Sequence, residues 1–139
     1  MKRRNTRESS EAWKGAGRMA RILIVDDNEN IRETMSEILA VHGYEVTAAA
    51  DGNEALAILR HGSVDLIITD LLMPGKGGID TIKEARELCP GTKIFAISGG
   101  WIGPKEVFLD AARAAGADQT FEKPLDWAGL ERAVVEALG

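Results

Sequence analysis

The sequence predicts an α/β protein of three layers: a five-stranded parallel sheet with helices packed on both faces. Three observations carry this. Short runs of β-branched and aliphatic residues are continuous rather than alternating, as in strands covered on both sides. Amphipathic stretches at helical spacing separate them, one after each run, and that alternation is the signature of parallel βαβ units. The length of 139 residues with 45% apolar side chains suits one domain with a real core, leaving no room for a second.

Element by element, Arg21-Ile22-Leu23-Ile24-Val25 is the first strand and ends in Asp26-Asp27. Ile31, Met35, Ile38, Leu39 and His42 then fall on one helical face, and Gly43 stands where a left-handed residue ends the helix. Tyr44 to Ala49 is the second strand. Asp51 is placed to cap the second helix with Glu54 three residues on, followed by Ala55, Leu56 and Leu59. Val64 to Thr69 is the third strand, ending at Asp70. The Pro and Gly content of Met73 to Gly78 makes a loop, and Ile79, Ile82, Ala85 and Leu88 mark a third helix that stops before Pro90.

Lys93 to Ile97 is the fourth strand, ending at Ser98, with Gly99 to Gly103 as loop. Pro104 fits the first turn of a fourth helix that runs to Ala115 and ends at Gly116. Gln119 to Glu122 is the fifth strand, ending at Lys123-Pro124. Asp126 caps the last helix, whose inner face is Trp127, Leu130, Val134 and Leu138.

Charge is unevenly spread. Residues 1–18 hold six basic and two acidic side chains, a balance of +4, while the remainder holds 11 basic and 20 acidic, a balance of −9. The first eighteen residues have no apolar periodicity and no apolar core of a secretory signal, so they read as a disordered basic leader. Met19, just before the first strand, is a candidate natural start. The acidic remainder argues against nucleic acid as a partner. No apolar run reaches the roughly 18 residues a membrane span needs. Cys89 is the sole cysteine, which excludes an internal disulfide and a cysteine zinc site and makes the cytoplasm the expected compartment. Cys89 itself, beside Pro90, reads as a surface thiol. Met35 reads as core, and Gly75, Gly77 and Gly78 as turn formers without Walker spacing.

The chemistry collects at strand ends. Four of the five strands end in a polar group: Asp26-Asp27, Asp70, Ser98 and Lys123. Each alone is ordinary, as a turn residue, a cap or a solvated loop lysine. In a parallel sheet, however, all four ends reach one rim, and ligands bind outside the carboxyl ends where the winding reverses. With a strand order 2-1-3-4-5 that reversal falls between strands one and three, the two that end in carboxylates. Three carboxylates against one ammonium leave −2. Two unit charges about 4 Å apart repel by roughly 4 kcal/mol at an effective dielectric near 20. Such a group of acids protonates or holds a divalent cation. A small all-oxygen pocket favours Mg²⁺ over Ca²⁺. A carboxylate left free can attack phosphorus to form an acyl phosphate. The Lys123 ammonium and Ser98 hydroxyl can then steady the equatorial oxygens.

These residues resemble the receiver domain of two-component response regulators. The resemblance rests on Ile24-Val25-Asp26-Asp27, Asp70-Leu71-Leu72-Met73-Pro74 with Gly78, Ala96-Ile97-Ser98-Gly99 and Lys123-Pro124, and runs from about Met19 to Gly139. It implies a leader, 1–18, followed by a receiver domain, 19–139, of flavodoxin-like fold. It also implies that Asp70 is the phosphoacceptor. Mg²⁺ would be held by Asp27 directly, by Asp26 through water, by Asp70, and by the backbone carbonyl of Leu72. Ser98 and Lys123 would bind the phosphoryl oxygens. The phosphoryl donor would be a phosphohistidine on a sensor histidine kinase or phosphotransfer protein, with loss of phosphate partly self-catalysed.

Two departures from the family pattern stand out. The family places an aromatic ring three residues before the lysine, where this chain has Thr120; Phe121 beside it faces the other side of a strand. Trp101, in the loop after Ser98, is a candidate substitute for that readout, with a core-edge or contact role as its simpler reading. Leu72, two residues after Asp70, cannot position a water by hydrogen bonding. The chain stops after the fifth helix, so output is expected through a downstream protein or a homodimer, using helix 4, strand 5 and helix 5. A phosphatase with true turnover would want an acid where Leu72 stands, so no separate enzymatic activity is expected. A binding module that has lost phosphorylation is opposed by the intact acids, Ser98 and Lys123.

Overall fold

The structure, a computed structural model, describes residues 19–73, 76–99 and 105–139. Leader residues 1–18, Trp101 and Pro104 lie outside the described residues. The elements are β1 (Arg21–Val25), α1 (Glu29–Ala40), β2 (Glu45–Ala49), α2 (Gly52–Arg60), β3 (Leu66–Asp70), α3 (Gly78–Leu88), β4 (Lys93–Ser98), α4 (Lys105–Ala115), β5 (Gln119–Glu122) and α5 (Trp127–Leu138). They follow the expected order, with ends moved by a residue or two. The sheet is parallel throughout, in the order β2-β1-β3-β4-β5.

Continuous apolar strands make two cores, one on each face. Leu23, Val25, Ile67, Ile94 and Ala96 point one way and pack on Leu56 and Leu59 of α2, Ile82 and Ala85 of α3, and Ala112 of α4. Ile22, Ile24, Leu66, Ile68, Phe95 and Ile97 point the other way, against Met35 and Leu39 of α1 and Leu130 and Val134 of α5. Each Val, Leu, Ile, Met or Phe side chain among them contributes about 1.5–3 kcal/mol by leaving water. The helix caps follow from local chemistry. Asp51 and Asp126 accept the backbone N–H groups of Glu54 and Gly129, and Asn28 accepts those of Asn30 and Ile31. Gly43 (φ 85°) and Gly116 (φ 131°) take the left-handed turns after α1 and α4 that side chains resist.

Cys89 corrects the expected surface thiol. It is only 7% exposed and sits in the core beneath α2, α3 and α4. The reason is local. The Cys89 N–H still bonds the Ala85 carbonyl (2.8 Å), while its own carbonyl takes the Thr92 N–H (3.1 Å). The chain therefore turns inward before Pro90.

At the amino ends of the strands one side chain joins three elements. The Arg86 guanidinium, on α3, donates to the carbonyls of Pro90 (3.0 Å), Thr92 (2.6 Å) and Gly116 (2.5 Å) and to Asp118 Oδ2 (3.1 Å). Asp118 Oδ2 also accepts the Ile94 N–H (2.8 Å). The start of β4 and the α4–β5 turn are thus tied to α3.

Candidate functional site

Strand pairing builds the site. Val25 of β1 lies opposite Thr69 of β3, so the next residues, Asp26 and Asp70, emerge side by side at the carboxyl rim. Ser98 ends β4, and its carbonyl accepts the Lys123 N–H at 2.8 Å, which brings Lys123 to the same rim. The sequence-predicted residues Asp26, Asp27, Asp70, Ser98 and Lys123 thus meet along one edge.

Carboxylate oxygens of Asp26, Asp27 and Asp70 all lie within 4.8 Å of one another. Asp26 and Asp70 are buried, whereas Asp27 is exposed. Lys123 Nζ lies 3.2 Å from Asp70 Oδ2 and 3.6 Å from Asp26 Oδ2. Asp70 Oδ1 accepts the Leu72 N–H (3.2 Å), and Asp26 Oδ1 accepts the Asn28 N–H (2.9 Å). Burial pushes the Asp26 carboxyl above its usual pKa, helped by the charges of Asp70 and Asp27; the Asn28 N–H and Lys123 offset only part of this. For Lys123, burial by itself disfavours the ammonium, but the charges of Asp70 and Asp26 outweigh it and leave the pKa above the usual value.

Among the described residues, one buried side-chain atom has no hydrogen-bond donor: Asp26 Oδ2, with Lys123 Nζ at 3.6 Å. An unsatisfied buried acceptor is costly unless something else fills the need. All three ligand candidates supply oxygen, and the orphaned atom belongs to one of them. The donor set therefore fits a hard divalent cation of the Mg²⁺ type.

Two glycines keep the rim compact. A Cβ on Gly78 would meet Leu71 Cα at 2.4 Å and the Asp70 carbonyl oxygen at 2.5 Å. A Cβ on Gly99 would meet Lys123 Cβ at 2.5 Å, so the lysine stem lies directly across that glycine.

Of the readout candidates, Thr120 and Phe121 are engaged with other partners. Phe121 packs on Phe95 with ring centroids 5.1 Å apart, on the side of α1 and α5. The Thr120 hydroxyl accepts from Arg113 Nη2 of α4 at 3.0 Å. Leu72 has its side chain half exposed while its N–H serves Asp70. Sequence reasoning missed two residues that brace the β1–α1 turn, Asn28 in it and Arg32 in α1. Asn28 had a usable signal, a capping residue just ahead of an amphipathic run. Arg32, whose Nη1 donates to the Asp26 carbonyl at 2.8 Å, had none, because a helix arginine ordinarily points to water.

Comparisons with known proteins agree with this geometry. The family model of the response regulator receiver domain matches residues 22–135. A response regulator receiver protein of Anaeromyxobacter sp. is 38% identical over 107 residues, which is 77% of this chain and 44% of that protein. This chain thus spans less than half the length of that curated relative. A CheY-like receiver domain protein from Methanospirillum hungatei has a TM-score of 0.80 at 32% identity, covering 87% of this chain and 94% of that one. The response regulator TrrA of Thermotoga maritima, solved in complex with Mg²⁺-BeF, has a TM-score of 0.74 at 34% identity, covering 86% and 99%. The chain belongs to the response regulator receiver domain family.

Proposed function

We propose that Asp70 accepts a phosphoryl group from a phosphohistidine on a sensor histidine kinase or phosphotransfer protein, in a Mg²⁺-dependent reaction. The observation that carries this reading is the Lys123 ammonium bonded to Asp70 Oδ2 beside two further carboxylates, one with an unmatched buried oxygen. An Asp70 carboxylate oxygen forms a bond to phosphorus as the nitrogen–phosphorus bond of the donor breaks, and the electron pair returns to the imidazole. Asp26, Asp27, Asp70 and the Leu72 carbonyl would hold the Mg²⁺, which supplies positive charge to the phosphoryl oxygens when bound. Lys123 and the Ser98 hydroxyl serve those same oxygens.

The chain is read as a cytoplasmic phosphoprotein that signals through protein contacts rather than through turnover of a separate substrate. The acidic balance after residue 18 supports a protein rather than a nucleic-acid partner. Among the described residues, no helix is long and apolar enough to cross a membrane. The face made by α4, β5 and α5 is the proposed contact for a downstream protein or a second copy, and it exposes Val107 and Val135. The test is incubation with acetyl phosphate and Mg²⁺ followed by intact mass. One added phosphoryl group is expected in the native chain and none in Asp70→Asn; labelling that persists in Asp70→Asn overturns the assignment.

A further inference from the structure

The β1–α1 turn is closed by a ring of hydrogen bonds in which the cap and first turn of α1 are joined to Asp26 by two side-chain links. Asp26 Oδ1 takes the Asn28 N–H (2.9 Å), and Asn28 Oδ1 takes the N–H groups of Asn30 (2.9 Å) and Ile31 (3.2 Å). The Arg32 N–H bonds the Asn28 carbonyl (3.1 Å), and Arg32 Nη1 returns to the Asp26 carbonyl (2.8 Å). On the other flank, the Asp26 N–H is held by the Ala49 carbonyl of β2 (3.1 Å).

The link from Arg32 Nη1 to the Asp26 carbonyl matters most. The Asp26 carbonyl lies in the same rigid plane as the Asp27 amide, and that plane includes both Cα atoms. A guanidinium that pins this carbonyl therefore fixes where two carboxylates start. Asp26 is then fixed at its N–H, its carbonyl and Oδ1, and Oδ2 is left as the atom without a donor. Asp27, exposed at the mouth, gains its direction from the same plane.

We propose that Arg32 is a positioning residue for the divalent cation: it holds the Asp26–Asp27 peptide so that both carboxylates converge with Asp70 on one metal. This rests on the cation reading of the site and deepens it. Partners that orient ligands from behind typically change metal affinity by about 10–100-fold when removed.

Charge alone predicts the opposite sign. Arg32 is a cation near a site for a dication, so deleting its charge should tighten Mg²⁺ binding by Coulomb's law. A positioning role predicts weaker binding. The two explanations part on direction, not on size.

The experiment is Mg²⁺ titration of the whole chain, without phosphoryl donor. It is followed by the amide NMR shifts of Asp26, Asp27 and Asn28 and by calorimetry, well below the melting temperature. Arg32→Met keeps a long apolar stem and removes the donor; its Mg²⁺ Kd is expected to rise about tenfold or more. Arg32→Lys restores a donor and a charge and is expected to recover most of the affinity. If Arg32→Met does not fold, Arg32→Gln, with a shorter neutral donor, takes its place and is expected to raise the Mg²⁺ Kd severalfold over the native chain. An unchanged or tighter Kd in the neutral variants overturns the proposal while leaving the site intact. A native chain that binds no Mg²⁺ at millimolar concentration overturns the cation reading itself, and this inference with it.

Discussion

Asp26 is the residue at which the fold gives up stability for chemistry. Its carboxyl is almost fully buried, one oxygen lacks a donor, and two other acids stand beside it. The folded pKa lies above the ordinary aspartate value, so folding favours the neutral form. The penalty is fully present above the folded pKa and disappears as pH falls below the unfolded one. Asp26→Asn is therefore expected to stabilise the metal-free chain at pH 7 by on the order of 1 kcal/mol. Thermal melts in a chelator between pH 7 and pH 4 should show the gap closing on acidification. Lys123 behaves in the opposite sense. Its raised pKa contributes stability present below the unfolded value of 10.5 and lost as pH climbs through the folded one.

At this scale the sequence was informative wherever a polar side chain directly ended an apolar run. Asp26 and Ser98 follow such runs directly, Asp70 follows one across Thr69, and Lys123 closes a strand whose one apolar residue is Phe121; all four reach the rim. It was silent on Arg32 and on the Arg113–Thr120 bond, because helix arginines find carbonyls and hydroxyls only after the chain has folded. It misplaced Cys89, since a Pro after a helix marks an end without saying which way the chain then turns.

Among the elements, β3 and α3 meet main chain to main chain just beyond the strand end. Gly78 opens α3, and its N–H donates to the Leu71 carbonyl (3.2 Å) just past Asp70. There is no space for a methyl group between that helix start and the Asp70–Leu71 backbone. Because the obstacle is main chain, it cannot swing aside. Gly78→Ala is expected to cost about 2 kcal/mol or more by overpacking, despite alanine's better helix propensity. Urea denaturation of the two proteins measures it; a stabilised alanine variant would show that the backbone yields more easily than its geometry indicates. Element positions were readable to within a residue or two, because continuous aliphatic runs and capping residues mark both kinds of boundary. Strand order was not readable from periodicity. A buried parallel strand presents similar side chains to both faces and does not name its neighbours; the order came from the family resemblance.

Across the molecule, the two ends of the sheet are built differently. The carboxyl rim gathers charge, whereas the amino end is drawn together by Arg86, which serves three carbonyls and a carboxylate from α3. Removing it strands several acceptors together, each at about 1–3 kcal/mol if water cannot reach it. Arg86→Met is expected to destabilise the chain by roughly 2–4 kcal/mol while leaving Mg²⁺ affinity within about twofold, since the two ends share no partner. Chemical denaturation and a metal titration on the same variant check both halves of that statement.

The main-chain bond from Lys123 to the Ser98 carbonyl has its own consequence. Hydroxyl and ammonium ride on a common tether, so neither can be tugged without the other feeling it. Whatever grips the serine also repositions the lysine, and the two should act as a pair of coupled fingers rather than as separate hooks.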